Sequence, residues 1–137
     1  VKECVILGYG SVGRSVTYIL HDNNYDVFVF NRSSIDITEQ LSGVDYSMNR
    51  IPKQFLLINT TSIISDEWIY PLPYKDMSGC IGCIDFVNQP TLLTRVVKGL
   101  NIPYVDGSEV FFRQAIHQFK FWFGNNNISK TWESLYI

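Results

Sequence analysis

A chain of 137 residues with 11 Lys+Arg, 13 Asp+Glu and a formal net charge of -2 has room for one globular domain and excludes a two-domain enzyme within these residues. With 46% hydrophobic and 18% charged residues it is too apolar for a disordered chain, and its near-neutral charge provides no global field for nucleic acid or an acidic membrane surface. No apolar run approaches the roughly 20 residues that span a bilayer, and Val1-Lys2-Glu3-Cys4 lacks the basic start of a signal peptide, so a soluble cytoplasmic domain is expected, without a membrane or nucleic-acid partner.

Val1 leads within two residues into the apolar run Cys4-Val5-Ile6-Leu7, a start that reads as the interior of a longer polypeptide. That run is stopped by Gly8 and predicts a strand buried on both faces. Ser11 is placed to cap a helix carrying Val12, Val16, Ile19 and Leu20 on one stripe, broken at His21-Asp22-Asn23-Asn24. Asp26 to Phe30 is a second strand, Asp36 to Leu41 a short helix ended by Gly43, and Val44-Asp45-Tyr46 a minor strand.

Phe55-Leu56-Leu57-Ile58 predicts another buried strand, followed by the polar loop Asn59-Thr60-Thr61-Ser62. Residues 65 to 78, with Pro71 and Pro73, read as an irregular connection holding one turn of helix. A strand near Gly82 to Phe86 precedes a helix opened by Pro90-Thr91, with Leu92, Leu93, Val96, Val97 and Leu100, closed by Gly99 or Asn101. Pro103-Tyr104-Val105 is a further short strand, and Asp106-Gly107 turns the chain into a long helix from about Glu109 to Phe123. Alternating strands and helices predict an α/β fold, a three-layer αβα Rossmann-like domain around a mainly parallel sheet. The ligand is expected outside the carboxyl ends of the strands.

Three cysteines cannot all pair in one chain, and Cys80-Ile81-Gly82-Cys83 is the sole CxxC. Cys4, His21 and His117 lack ligand spacing around it, so no metal site is expected. The pair lies in an apolar small-residue strand, not at a helix start that would stabilise a thiolate, and reads as buried packing.

Gly8-Tyr9-Gly10-Ser11-Val12-Gly13 is a complete GxGxxG between a strand and a helix, the context a dinucleotide fingerprint requires. Gly8 permits the tight turn, Gly10 lets the backbone reach a pyrophosphate, and Gly13 lets the helix pack on the strand, with free N-H groups at the helix start receiving the anion. The second strand ends in Asn31-Arg32-Ser33, with no acid before Asp36. A guanidinium and neutral donors there favour a 2'-phosphate, hence NADP, over the ribose hydroxyl of NAD, which remains the alternative. Hydride transfer also needs a proton donor or acceptor, and no catalytic acid/base cluster is visible in the chain.

The order of these signals resembles the C-terminal nucleotide-binding domain of the shikimate dehydrogenase family. Asp106-Gly107-Ser108-Glu109-Val110-Phe111-Phe112-Arg113-Gln114-Ala115, followed by Phe119 and Trp122, is similar to that family's DGxxML..QA...F..W close. Ile58-Asn59-Thr60-Thr61-Ser62 resembles its INATS loop and Asn31-Arg32-Ser33 its NRT, within a likeness that runs from about residue 3 to residue 124. The resemblance implies an NADP-dependent interconversion of 3-dehydroshikimate and shikimate, a step of aromatic amino acid biosynthesis, in a cleft between two domains. It implies that Gly8, Gly10, Ser11, Val12 and Gly13 hold the pyrophosphate, and that Asn31, Arg32 and Ser33 surround the 2'-phosphate. Asn59, Thr60, Thr61 and Ser62, with Gly107 and Val110, would line the nicotinamide side, and Gln114 would reach a substrate hydroxyl. The catalytic Lys and Asp of that family lie in an N-terminal domain, the implied partner for a small-molecule substrate.

The chain departs from the pattern at Asp36, where the family often places a second basic residue, and at Glu109-Val110, which replace Gly-Met. Phe111, Ala115, Phe119 and Trp122 form one stripe of the last helix, widened by Phe112, Ile116 and Phe123, and this stripe predicts contact with another domain or self-association with a second copy. The rival reading is a non-catalytic dinucleotide-binding or regulatory and assembly module.

Overall fold

The structure is a computed structural model and describes residues 2–61, 74–87 and 92–107. The first strand, β1 (Glu3–Leu7), is followed by helix α1 (Ser11–Asp22) and strand β2 (Asp26–Phe30). After a short 3-10 helix, Ile37–Glu39, come β3 (Phe55–Asn59), a second 3-10 helix, Tyr74–Gly79, and β4 (Cys80–Asp85). Helix α2 (Leu92–Gly99) and the short strand β5 (Tyr104–Val105) complete the described elements.

All strand pairs are parallel and the sheet order is β2-β1-β3-β4-β5. Asp45 adds a parallel bridge to Phe28 on the outer side of β2, with Val29 N-H donating to Asp45 O at 2.8 Å and Asp45 N-H to Val27 O at 3.0 Å. The predicted minor strand at Val44-Asp45-Tyr46 is therefore one residue long. Counted as the third strand, it turns the order into 3-2-1-4-5-6, that of the doubly wound dinucleotide-binding sheet. The order reverses between β1 and β3, and such a switch point opens a crevice at the carboxyl edge because the chain leaves the two strands in opposite directions.

Strand alternation separates two apolar layers. Val5, Leu7, Phe28, Phe30, Phe55, Leu57 and Cys83 face α2, whose Leu93 and Val97 are almost wholly buried against them. Cys4, Ile6, Val27, Val29 and Ile58 face the other way, toward Val16 and Leu20 of α1. The two helices lie on opposite faces because right-handed crossovers run outward in both directions from the centre of the sheet.

Several boundaries differ from the sequence reading. The N-cap of α1 is Gly10 and no side chain caps it, while Ser11, expected as the cap, is already helical. The apolar stripe of α1 is rotated from the expected one: Gly13 and Thr17 are the buried residues, whereas Val12 and Ile19 are 45% and 58% exposed. Close approach at Gly13 draws that face of the helix inward, which the hydrophobic pattern alone does not register. The expected helix from Asp36 to Leu41 is a 3-10 helix at Ile37–Glu39, held by the Asp36 carboxylate, which accepts from Thr38 N-H at 3.0 Å and Thr38 Oγ1 at 2.9 Å. The fourth strand begins at Cys80 and ends at Asp85, where Gly82 to Phe86 was expected.

Both described α-helices end through an asparagine in the left-handed region, Asn24 (φ 67) and Asn101 (φ 58). Tyr25 N-H returns to Leu20 O at 3.0 Å and Ile102 N-H to Val97 O at 2.8 Å, the long bonds of Schellman closures. Of the two terminators expected for α2, Asn101 acts and Gly99 remains helical.

Candidate functional site

The glycines of the first loop have separate physical tasks. Gly8 adopts φ +96 and donates its N-H to Phe30 O at 2.8 Å, so the loop leaves β1 against the end of β2. A Cβ on Gly13 would collide with Gly8 O and stand 2.8 Å from Thr60 Oγ1, so the fold itself demands glycine there. Gly10 is different: a Cβ there would meet nothing within 4 Å, and its φ of -74 suits any residue. Open space at Gly10, beside a helix start that no side chain caps, leaves an open edge with the positive end of the helix dipole, chemistry suited to an anion. Ser11 and Val12 are exposed at the same edge.

The loop after β2 lies alongside, since Leu7 and Phe30 are in register. Asn31 Nδ2 donates to Ser33 O at 3.0 Å, which shapes the turn and leaves Arg32 exposed at its tip. Among the described residues Arg32 forms no hydrogen bond or ion pair. The Asp36 carboxylate is held below the usual carboxylate range by hydrogen bonds first from the Thr38 backbone and then from its hydroxyl, so it stays ionised as the cap of the 3-10 helix.

Side chains that the sequence reading did not single out bind this loop segment to the glycine loop. Leu41 N-H donates to Tyr46 Oη at 3.0 Å, the Tyr46 and Tyr9 hydroxyls are 2.8 Å apart, and Tyr9 donates to Glu39 O at 2.8 Å. The two rings meet edge to face with centroids 5.3 Å apart. Burial, and then the Tyr46 hydroxyl, push the Tyr9 phenol above its usual range, so it remains a donor. Arg14 of α1 reaches the same segment, with Nη1 3.2 Å from Glu39 Oε1. A tyrosine at the second position of the motif is the signal that could have exposed the first contact; the second is visible only in three dimensions.

The opposite wall is built from buried polar groups. Asn59 and Asp85 are both fully buried, at the ends of β3 and β4. Asn59 Nδ2 donates to Asp85 Oδ1 at 3.1 Å, and its Oδ1 accepts from Thr61 N-H at 3.0 Å and Thr61 Oγ1 at 2.7 Å. Asp85 Oδ1 also accepts from Val87 N-H at 2.9 Å. Asn59 thus ends a strand where a loop was expected, and its side chain holds the wall in place. Thr60 Oγ1 donates to Leu7 O at 2.8 Å, joining this wall to the glycine loop. Gly107 is buried and donates its N-H to Val87 O at 3.2 Å, which brings the turn after β5 to the same edge. An acid at the end of an otherwise apolar strand was the clue to Asp85.

The structure therefore gathers Gly8, Gly10, Ser11, Val12, Gly13, Asn31, Arg32, Ser33, Asn59, Thr60, Thr61 and Gly107 at one edge of the sheet. Ser62, Val110 and Gln114, and the aromatic helix expected from Glu109 to Phe123, lie outside the described residues. Cys4, Cys80 and Cys83 are free and buried, with Cys80 Sγ donating to Gly82 O at 3.3 Å. Desolvation pushes the Cys4 thiol up to about 11 and raises Cys80 and Cys83, the opposite of what a redox pair needs. Among the described residues no group of three or more His, Cys, Asp or Glu side chains could hold a metal ion, and no helix is long and apolar enough to cross a membrane.

No family model matches the chain. Curated relatives do: the chain is 28% identical over 134 residues to the shikimate dehydrogenase (NADP(+)) of Halorubrum lacusprofundi, covering 90% of this chain and 49% of that protein. It is 29% identical over 133 residues to that of Aquifex aeolicus, covering 90% of this chain and 48% of the relative. The chain spans about half the length of the curated relatives it matches. Among solved structures, shikimate dehydrogenase from Aquifex aeolicus superposes with a TM-score of 0.73 at 23% identity, over 96% of this chain and 53% of that one. Shikimate dehydrogenase 1 from Peptoclostridium difficile gives 0.72 at 22% identity, over 98% and 54%. The fold is that of their Rossmann-like domain, and over nine-tenths of its sequence the chain is similar to the C-terminal half of shikimate dehydrogenases.

Proposed function

We propose that these 137 residues form the NADP-binding domain of a shikimate dehydrogenase-like oxidoreductase, in which a further, N-terminal domain supplies the substrate-binding and proton-transferring residues. The observation that carries the reading is the division of labour among the glycines. Two are required by the protein's own packing, while Gly10 leaves open space against an uncapped helix start. The NADP(+) in the names of the relatives supports the choice of dinucleotide.

The residues present fit that cofactor, which when bound would give up a hydride in its reduced form and take one up in its oxidised form. The N-H groups at the start of α1, from Ser11 to Gly13, hold the pyrophosphate. Asn31 and Ser33 shape the turn that presents Arg32 to the adenosine 2'-phosphate, where its planar fork pairs with phosphate oxygens. Thr60, Thr61 and Gly107 form the nicotinamide wall and Asn59 acts there by fixing Thr61; the resemblance adds Ser62 and Val110 to the cofactor-binding set and gives Gln114 to the substrate. No side chain of this set is assigned the proton; the resemblance gives that role to the other domain.

Calorimetric titration of the chain with NADP and with NAD tests the reading. Tighter binding of NADP is the expected result. Preference for NAD overturns the 2'-phosphate site, and failure to bind either favours a non-catalytic assembly module.

A further inference from the structure

The proposed phosphate site has one exposed guanidinium, Arg32, on the loop after β2. Four residues further on, where the pattern of the shikimate dehydrogenase family that the chain resembles often has a second basic residue, stands Asp36, whose carboxylate is committed to capping the 3-10 helix. A dianionic phosphate facing one cation and a nearby carboxylate would be poorly compensated. The structure holds a second guanidinium on the same side of the crevice, on the helix that follows β1. Arg14, in the first turn of α1, reaches from the helix to the 3-10 helix that follows the Arg32 loop, and contacts Glu39 through a single nitrogen, Nη1 to Oε1 at 3.2 Å.

Both partners are half exposed, and a one-point pair of that kind contributes little to stability. The Glu39 backbone is separately fixed, because its carbonyl accepts from Tyr9, which in turn meets Tyr46. Losing the Arg14 contact therefore leaves the segment in place, and the guanidinium can turn with its other donors unspent. Glu39 acts as a resting partner that holds the arginine against the 3-10 helix following the β2 loop.

We propose that Arg14 is the second cation of the 2'-phosphate site, released from Glu39 when NADP binds, and so a specificity-determining residue. This rests on the NADP reading above. It assigns the compensation for Asp36 to helix α1, not to the β2 loop.

The test is calorimetric titration of wild type, Arg14→Ala, Glu39→Gln and Arg32→Ala with NADP and NAD. Arg14→Ala is expected to weaken NADP about ten-fold more than NAD, the scale of one charge-assisted contact. Glu39→Gln, which frees Arg14, is expected to tighten NADP relative to NAD. Equal losses for both nucleotides in Arg14→Ala would place Arg14 at the pyrophosphate and overturn the assignment, as would an unchanged NADP affinity. If wild type prefers NADP and Arg32→Ala loses that preference while Arg14→Ala keeps it, the inference fails and the NADP reading stands. If wild type shows no NADP preference, the reading itself falls and the inference with it. All three substitutions lie on the surface, and unchanged thermal unfolding of each variant establishes that affinity is being compared between folded proteins.

Discussion

The two walls of the crevice are made differently. On the β1–β2 side the chain is held by backbone bonds and by the Tyr9–Tyr46 contact, while the space beside Gly10 is open and the Arg32 side chain forms no hydrogen bond or ion pair among the described residues. On the β3–β4 side the polar groups Asn59, Thr60, Thr61 and Asp85 are spent on one another and on the chain. The first wall leaves groups open at its edge and the second is fixed in place. A wall of buried, mutually satisfied polar groups is rigid because any displacement leaves a donor or acceptor unpaired.

Substitutions can break this contrast. The largest effect is expected at Gly13→Ala, where the new Cβ meets Gly8 O and Thr60 Oγ1 at the junction of the walls; a loss of about 3 kcal/mol in urea unfolding is expected. Gly10→Ala should cost no more than about 1 kcal/mol, the Gly-to-Ala difference at an N-cap, while NADP affinity drops ten-fold or more, roughly one or more decades, as the Cβ fills the anion's space. Equal stability losses in the two variants would end the distinction between glycines of the fold and glycines of the ligand.

Next in size is Asn59→Ala, which removes a donor from buried Asp85 and the anchor of Thr61; about 2 kcal/mol of stability should be lost, with NADP and NAD weakened together. Arg32→Ala is its counterpart on the open wall. Thermal unfolding should barely change and NADP should weaken about ten-fold relative to NAD; a stability loss like that of Asn59→Ala would show that both walls are structural.

The smallest effect concerns acid. Hydrogen bonds first from the Ser47 hydroxyl, then from its amide and from Arg50, hold Asp45 below the usual carboxylate range. A pKa lower in the folded state means the unfolded chain takes up the proton first, so this contribution is complete above the unfolded value of about 4 and fades as pH falls toward the folded one. Unfolding free energies between pH 5 and pH 3 should therefore decline less steeply in Asp45→Asn.

The apolar runs at Cys4–Leu7 and Phe55–Ile58 and the glycine motif between strand and helix made the parallel sheet and its working edge legible from the chain alone. Alternation of type and spacing is local information, and local information suffices to place a strand. The one-residue strand at Asp45 was legible as a segment, yet its consequence, the doubly wound order, needed the pairing with Phe28. The rotation of α1 escaped the pattern because Gly13 counts for nothing in hydrophobicity and for everything in approach distance. Asn59 read as a loop residue since asparagine favours loops; Asp85, distant in sequence, makes it a strand end.

By itself the sequence determined the α/β alternation, the glycine loop that opens α1 and the basic tip after β2, because each depends on neighbours a few residues away. Tertiary structure decided which polar groups are spent and which remain for a ligand. Asn59 against Asp85, Tyr9 against Tyr46 and Arg14 against Glu39 are separated by 26, 37 and 25 residues, and only a closed sheet brings such partners within hydrogen-bonding distance.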